Sequence, residues 1–133
     1  SPKVFVIGGG GKATKIYRAL NKKGIGFYSG ILFKNDIDYN ISKILAYETI
    51  EEEGFIDIGY DKVDKAKRYI ENCQAVVDSG VSLKGINRGN YELLRFASQE
   101  GVKILSLREE EMELDVIKHF SISSLLNQLV DMI

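Results

Sequence analysis

The stretch Lys3-Val-Phe-Val-Ile7, followed by Gly8-Gly-Gly-Gly11-Lys12-Ala13, decides how this chain folds. The apolar residues after Lys3 are typical of a strand that is buried on both faces. Apolar residues then recur at helical spacing, at Ile16, Tyr17 and Leu20. The stretch therefore predicts a strand, a tight glycine turn and a helix, as in the first unit of a dinucleotide-type α/β fold.

The rest of the chain repeats this alternation of short apolar segments and helical patterns. Further strands are predicted at 25–33, near 48–51, at 75–78, at 102–105 and, as a short edge strand, within 115–120. Strands separated by helices favour a parallel sheet that is covered by helices on both faces. We therefore predict an α/β fold, a Rossmann-like three-layer sandwich whose parallel sheet has five or six strands in the order 3-2-1-4-5.

Polar residues indicate where the later helices and loops lie. The acidic segment 108–113 is predicted to be a solvated loop. Residues suited to cap a helix precede the second to fifth helices: Asp36 or Asp38, Asp61, Asn87 or Asn90, and Ser121 or Ser123.

Composition limits the class of protein. The chain has 133 residues, 44% hydrophobic and 28% charged, which suits one globular domain over residues 1–133. A net charge of -1 gives no electrostatic signal for nucleic acid, and no apolar run reaches the roughly 20 residues that span a bilayer. The single cysteine, Cys73, forms no internal disulfide, which suits a reducing compartment. Because the chain opens with Ser-Pro, we expect a fragment of a longer protein.

The glycine turn is the first candidate for ligand binding. Backbone amides within Gly8, Gly9, Gly10, Gly11 and Lys12 are expected to hold a phosphate or carboxylate at the helix N-terminus, with Lys12 adding a charge. The turn is not a Walker A loop, because the first glycine of that motif is missing and no Ser or Thr follows the lysine. The alternative is that the glycines only allow close packing.

Polar residues that follow two other strands are expected at the same edge of the sheet. Asp36 and Asp38 stand where an acidic residue would bind ribose hydroxyls, although helix capping also explains both. The long loop 79–90 contributes Ser79, Gly80 and Asn87 to the candidate site, the alternative being an ordinary connection. No metal site or catalytic residue is predicted; His119 and Cys73 lack suitable partners and are interpreted as structural.

Several segments together resemble a known family. Val6-Ile7-Gly8-Gly9-Gly10-Gly11, Asn35-Asp36-Ile37-Asp38-Tyr39 and Gly85-Ile86-Asn87-Arg88-Gly89-Asn90 are similar to the C-terminal extension of ATP-binding subunits of iron–siderophore and cobalamin-type ABC transporters. The resemblance spans about residues 3 to 105. It implies an accessory domain of an ATP-binding protein in iron transport, with the ATPase domain absent from these residues and no ATP hydrolysis by them.

The resemblance also implies partners and a location. The partners would be the ATPase domain of the same chain and the membrane subunits of the transporter, at the cytoplasmic face of a membrane. The expected function is non-catalytic regulation or sensing, through a small anionic or nucleotide-like ligand bound between the first and fourth strands. The cofactor is unknown; a nucleotide or dinucleotide fits this site, and no metal is expected. An NAD(P)-dependent oxidoreductase domain and a ligand-free dimerisation module, such as a homodimer, are the alternatives.

Overall fold

The computed structural model describes residues 3–49, 55–57 and 63–133, with only the backbone described at 55–57. Strands and helices alternate along these residues up to the fifth strand, which is followed by the sixth strand without a helix between them. A short 3-10 turn at Gly85–Asn87 precedes the fourth helix. The elements in chain order are β1 Val4–Ile7, α1 Thr14–Lys22, β2 Phe27–Ile31, α2 Tyr39–Thr49, β3 Phe55–Asp57, α3 Val63–Ile70, β4 Ala75–Asp78, α4 Arg88–Gln99, β5 Lys103–Ser106, β6 Ile117–Lys118 and α5 Ile122–Met132.

The strands form one six-stranded sheet in the order β3-β2-β1-β4-β5-β6. Every pairing in it is parallel, and Val4 of β1 is in register with Phe27 of β2 and Ala75 of β4. This confirms the predicted Rossmann-like sandwich and its strand order, with the sixth strand at the edge. The direction of winding reverses between β1 and β4, which is where sheets of this class leave a crevice at their carboxyl ends.

The central strands β1 and β4 are buried on both faces, as their apolar residues predict. Val4 and Val6 belong to the core that α1, α2 and α5 cover. Phe5 and Ile7 point to the other face and pack in the core formed with α3 and α4. All of these β1 side chains are fully buried, because a central parallel strand meets helices above and below it.

The third strand lies further along the chain than predicted. It occupies Phe55–Asp57, whereas Glu48 and Thr49 still belong to α2. The helix continues because Leu45 and Ala46 keep it packed on the core, and the Thr49 hydroxyl donates to the Ala46 carbonyl. Residues 50 and 51 of the predicted strand lie outside the described residues, and so does the expected cap Asp61.

The last helix begins where the sequence predicts. The Ser121 side chain accepts a hydrogen bond of 3.1 Å from the backbone N–H of Ser124, so Ser121 is the N-cap of α5. The edge strand β6 pairs with β5, with Ile117 in register with Leu105.

Candidate functional site

The glycine turn joins the end of β1 to the start of α1. Gly9, Gly10 and Gly11 have φ values of 141°, 62° and 78°, a region that residues with a side chain rarely adopt. The turn closes on itself through a hydrogen bond of 3.1 Å from the Lys12 amide to the Gly9 carbonyl. Glycine is therefore required here for the backbone conformation, whether or not a ligand binds.

Asp38 caps α1 from a distant part of the chain. Ala13, the N-cap residue of α1, has no side chain that could accept a hydrogen bond. The Asp38 carboxylate takes that role: it accepts from the amides of Gly9 at 3.1 Å and Ala13 at 3.2 Å, and from the Thr14 hydroxyl at 2.7 Å. Asp38 is fully buried, so this carboxylate neutralises the positive end of the α1 dipole from within the protein.

Asp36 holds the tip of the same turn. Both of its carboxylate oxygens accept from the Gly10 amide, at 2.9 and 3.0 Å, and one of them also accepts from the Asp38 amide. The amides of Gly9 and Gly10, which are predicted to hold a phosphate or carboxylate ligand, already donate to these carboxylates. Electrostatic complementarity explains the difference, because a carboxylate binds to an N-terminal nest of amides as a phosphate would.

Side chains also fill the space beside the turn. A Cβ added to Gly8 would lie 2.7 Å from the Ala13 Cβ, which shows that this glycine allows β1 and α1 to approach closely. A Cβ on Gly9 would lie 3.0 Å from Asp36 Oδ2 and 3.1 Å from Val81 Cγ2. Val81 is buried, so the crevice between β1 and β4 is occupied by protein atoms at this point.

A buried ion pair joins the ends of β4 and β5. Arg108 Nε and Nη2 donate to the two Asp78 oxygens at 3.0 and 2.9 Å, and Nη2 donates to the Val81 carbonyl at 2.6 Å. The Ser106 hydroxyl donates to Asp78 at 2.8 Å. The prediction of a solvated loop over 108–113 is therefore wrong for Arg108, which is only 6% exposed. A signal was present, since Asp78 ends a buried apolar strand and a charge there needs a partner.

The remaining predicted site residues belong to the loop after β4, where Ser79 is bonded to the end of β1. The Ser79 hydroxyl donates to the Ile7 carbonyl at 2.7 Å, and the Gly80 amide donates to Asp78 Oδ1 at 3.0 Å. Asn87 is the N-cap residue of α4, but its side chain makes no capping hydrogen bond. The structure thus brings Gly8–Lys12 together with Asp36 and Asp38, and holds Ser79 at Ile7, the residue before Gly8. Gly80 is bonded to Asp78, and Asn87 lies at the start of α4. Whether these residues bind a ligand stays a prediction.

Among the described residues, two side chains have strongly displaced pKa values, and both belong to the core. Burial raises the pKa of the Tyr17 hydroxyl, and the negative charges of Asp38 and Asp36 raise it further. Burial raises the pKa of the Cys73 thiol to about 12. Both groups are therefore neutral near pH 7, which suits structural residues rather than acids, bases or nucleophiles.

His119 has a local structural environment. Its Nδ1 lies 2.7 Å from the Ser124 hydroxyl, and its Nε2 lies 2.6 Å from Gln128 Oε1. Because Oε1 only accepts, Nε2 carries a hydrogen. The ring therefore ties the segment after β6 to α5, in keeping with the structural interpretation.

A cavity of about 280 Å³ opens at the carboxyl edge of the sheet, beside the first turn of α4. Its floor is apolar, from Leu32 after β2 and Val63 at the start of α3, both buried. Arg88 and Glu92 are exposed on its rim, and neither forms an ion pair with a residue of the described ranges. We call this the α4 cavity; it is lined by Leu32, Val63, Gly85, Ile86, Arg88, Gly89 and Glu92.

Gly89 brings α4 close to the floor of the α4 cavity. A Cβ at this position would lie 3.2 Å from both Leu32 Cδ2 and Val63 Cγ2. Neither Gly89 nor Glu92 is among the residues predicted to bind a ligand. The signal available was the four-residue spacing of an Arg and a Glu at the start of a helix, which places them on one face.

The described residues form neither a metal cluster nor a membrane-spanning helix. Among residues 3–49, 55–57 and 63–133, no group of three or more His, Cys, Asp and Glu side chains is placed to hold a metal ion. Over those same ranges, no helix combines the length and the apolar character that crossing a bilayer requires.

The fold and the glycine turn define a Rossmann-like α/β domain whose turn is closed by its own carboxylates. Comparison with known sequences gives the family: the sequence model of the MJ0874 family matches residues 27–132, so the chain belongs to that family. The chain is also similar to the uncharacterized protein MJ0874 of Methanocaldococcus jannaschii. The two are 31% identical over 67 residues, which cover 50% of this chain and 72% of that protein.

This membership corrects the expected relationship. The resemblance to the C-terminal extension of ABC transporter ATP-binding proteins is wrong, and with it the assignment to iron transport, because the chain belongs to the MJ0874 family. The segments that suggested it are mainly the glycine turn and the residues around Asp36 and Asp38, which shape a turn that a Rossmann-like fold can build in any family. The partners and the membrane-peripheral location rested on that resemblance and are not carried further. The cytoplasmic location stays a prediction.

Proposed function

We propose that this chain is a non-catalytic binding domain whose ligand is a small zwitterion with an apolar side chain, of the size of a hydrophobic amino acid. The ligand would occupy the α4 cavity. One observation carries the proposal: Arg88 and Glu92, neither of which forms an ion pair with a described residue, line the same cavity above an apolar floor. The cavity also lies outside the carboxyl ends of the strands, where open α/β sheets bind their ligands.

The chemistry of the lining supports this class of ligand. A guanidinium binds a carboxylate through paired hydrogen bonds, and a carboxylate accepts from an ammonium group. Leu32 and Val63 offer apolar surface to a side chain, and about 280 Å³ suits a small molecule. A ligand that carried only one kind of charge would leave either Arg88 or Glu92 unmatched.

The glycine turn supports a ligand less well. An incoming phosphate would have to displace Asp36 from the Gly10 amide and would approach the negative charge of buried Asp38. The same contacts disfavour the oxidoreductase alternative. The turn amides that would bind a pyrophosphate already donate to Asp36 and Asp38, the acidic residues that would bind a ribose. That Tyr17 and Cys73 are buried and neutral supports a non-catalytic role.

Titration with leucine tests the proposal. Leucine should perturb the backbone amide resonances of 85–92, whereas leucinamide and N-acetyl-leucine, which each lack one charge, should bind at least about tenfold more weakly. Arg88→Gln and Glu92→Gln should each weaken leucine binding by a similar factor. Arg95→Gln is the matched control, because Arg95 is exposed on the same helix and does not line the cavity. Equal binding of leucine and leucinamide, or full binding by Arg88→Gln, would contradict the proposal.

A further inference from the structure

A second concave surface lies on the side of α3 that faces away from α4. Lys65, Arg68, Tyr69 and Asn72 occur at positions three and four residues apart, so they form one stripe along α3 and the residues after it. Tyr28 of β2 forms the opposite wall. We call this surface the α3 groove; its volume is about 370 Å³, within the range of small-molecule sites.

The cations on the two sides of α3 differ in their contacts with other side chains. On the side toward α4, Lys67 Nζ lies 2.9 Å from Asp64 Oδ1 and 5.7 Å from the centroid of the Phe96 ring. In the α3 groove, Lys65 and Arg68 form no ion pair with any residue of the described ranges. No acidic side chain of those ranges lines the groove. Among the described residues, the groove therefore holds positive charge that no acidic side chain compensates, in a chain whose net charge is -1.

The aromatic wall of the groove is fixed in place. The rings of Tyr28 and Tyr69 meet edge to face, with centroids 4.8 Å apart and planes at 64°. Tyr28 in turn contacts Phe5 of β1, with centroids 6.5 Å apart. This chain of rings anchors Tyr69 to the core while leaving it partly exposed. A rigid aromatic ring beside cations is suited to stack on a planar group of a ligand.

We infer that the α3 groove binds a small anionic ligand that carries a planar ring, of the nucleoside monophosphate class. Arg68 and Lys65 would bind the phosphate, since a guanidinium matches two phosphate oxygens. Tyr69 would stack on the base. The Asn72 amide group donates to the Arg68 carbonyl at 3.1 Å, which leaves its carbonyl oxygen as an acceptor for a ring N–H. This site is independent of the α4 cavity, because the two share no lining residue.

Titration with adenosine monophosphate tests the inference. The chain has 7 tyrosines and no tryptophan, so a change in tyrosine fluorescence reports binding, and variants are needed to assign it to the groove. Adenosine monophosphate should bind at least about tenfold more tightly than adenosine or inorganic phosphate, because the ring and the charge both contribute. The affinity should fall as the salt concentration rises.

Variants assign the binding to the groove. Arg68→Gln and Lys65→Gln should each weaken adenosine monophosphate binding about tenfold, while circular dichroism shows an unchanged fold. Arg18→Gln, which removes an exposed cation of α1 on the other face of the sheet, is the control and should bind as the unchanged protein does. Glu92→Gln should also leave this binding intact, which separates it from the α4 cavity. The inference would be overturned if adenosine or phosphate alone bound as tightly as adenosine monophosphate. It would also be overturned if Arg68→Gln bound adenosine monophosphate as tightly as the unchanged protein does.

Discussion

At the residue scale, the carboxylates that follow β2 determine whether the amides of the glycine turn are available to a ligand. Asp36 and Asp38 are the anions of this turn, and they satisfy amides that a Rossmann-like fold elsewhere presents to a phosphate. Their positions were predicted, but the partner of each was not. Helix capping and ribose binding are the roles predicted for Asp36 and Asp38. The structure shows a third role, because Asp36 closes the preceding turn and Asp38 caps α1.

Asp38→Asn should destabilise the fold by about 2–4 kcal/mol. The substitution replaces one buried carboxylate oxygen, which accepts hydrogen bonds, with an NH2 group that can only donate. The buried amides of Gly9 and Ala13, or the Thr14 hydroxyl, then lose their partner. Urea unfolding measures the loss. Asp131→Asn, at an exposed position of α5, is the control and should change stability by less than about 0.5 kcal/mol. Equal effects of the two substitutions would contradict the role given to Asp38.

Cys73 predicts how stability responds to alkaline pH. Its folded-state pKa is about 12, against an ordinary value of about 9, so above pH 9 the unfolded chain releases a proton that the folded chain keeps. Stability is therefore complete below about pH 9 and falls as the pH rises toward about 12. The fall should be on the order of 2 kcal/mol between pH 9 and 11.

The test is urea unfolding at several pH values for the unchanged protein and for Cys73→Ala. The variant loses packing at every pH, but its stability should decline less steeply between pH 9 and 11. Some decline should remain, because the buried Tyr17 hydroxyl also stays protonated in the folded state. Parallel pH profiles for the two proteins would show that the thiol does not contribute.

At the element scale, the Asp78–Arg108 pair connects the ends of β4 and β5 and holds the following loop through Val81. The sequence predicts both strands, but it also predicts that Arg108 belongs to a solvated loop. The reason is physical: a charged residue next to an acidic run is usually solvated, and only the approach of two strand ends makes it the partner of a buried carboxylate.

Arg108→Met should destabilise the protein by about 3–5 kcal/mol, because it leaves the Asp78 charge buried and unpaired. In a double-mutant cycle, Asp78→Asn combined with Arg108→Met should cost at least about 1 kcal/mol less than the sum of the single changes. The comparison pair is Lys118 with Glu111, 3.3 Å apart, whose glutamate is exposed; Lys118→Met should cost no more than about 1 kcal/mol. Additive effects at Asp78 and Arg108 would argue against the coupling.

At the scale of the whole molecule, the sequence predicted the fold class, the strand order and the edge strand. These depend on short apolar runs separated by helical patterns, which parallel sheets with helices on both faces require. The third strand was misplaced because the charged residues at 48–51 gave no clear pattern, and the helix before it continues to Thr49. The candidate site was predicted less well. The glycine turn lies at the expected edge, but the α4 cavity and the α3 groove combine residues from four and three separate elements or loops.

Local sequence patterns specify the Rossmann-like sandwich and its glycine turn, because apolar periodicity and the conformational freedom of glycine act over a few neighbouring residues. Three-dimensional contacts specify which groups use the amides of that turn, how Arg108 is buried, and where charges without an ion-pair partner among the described residues line a cavity. Those outcomes depend on contacts between residues about 25 or more positions apart, and electrostatic partners at such distances leave no periodic signal in one sequence.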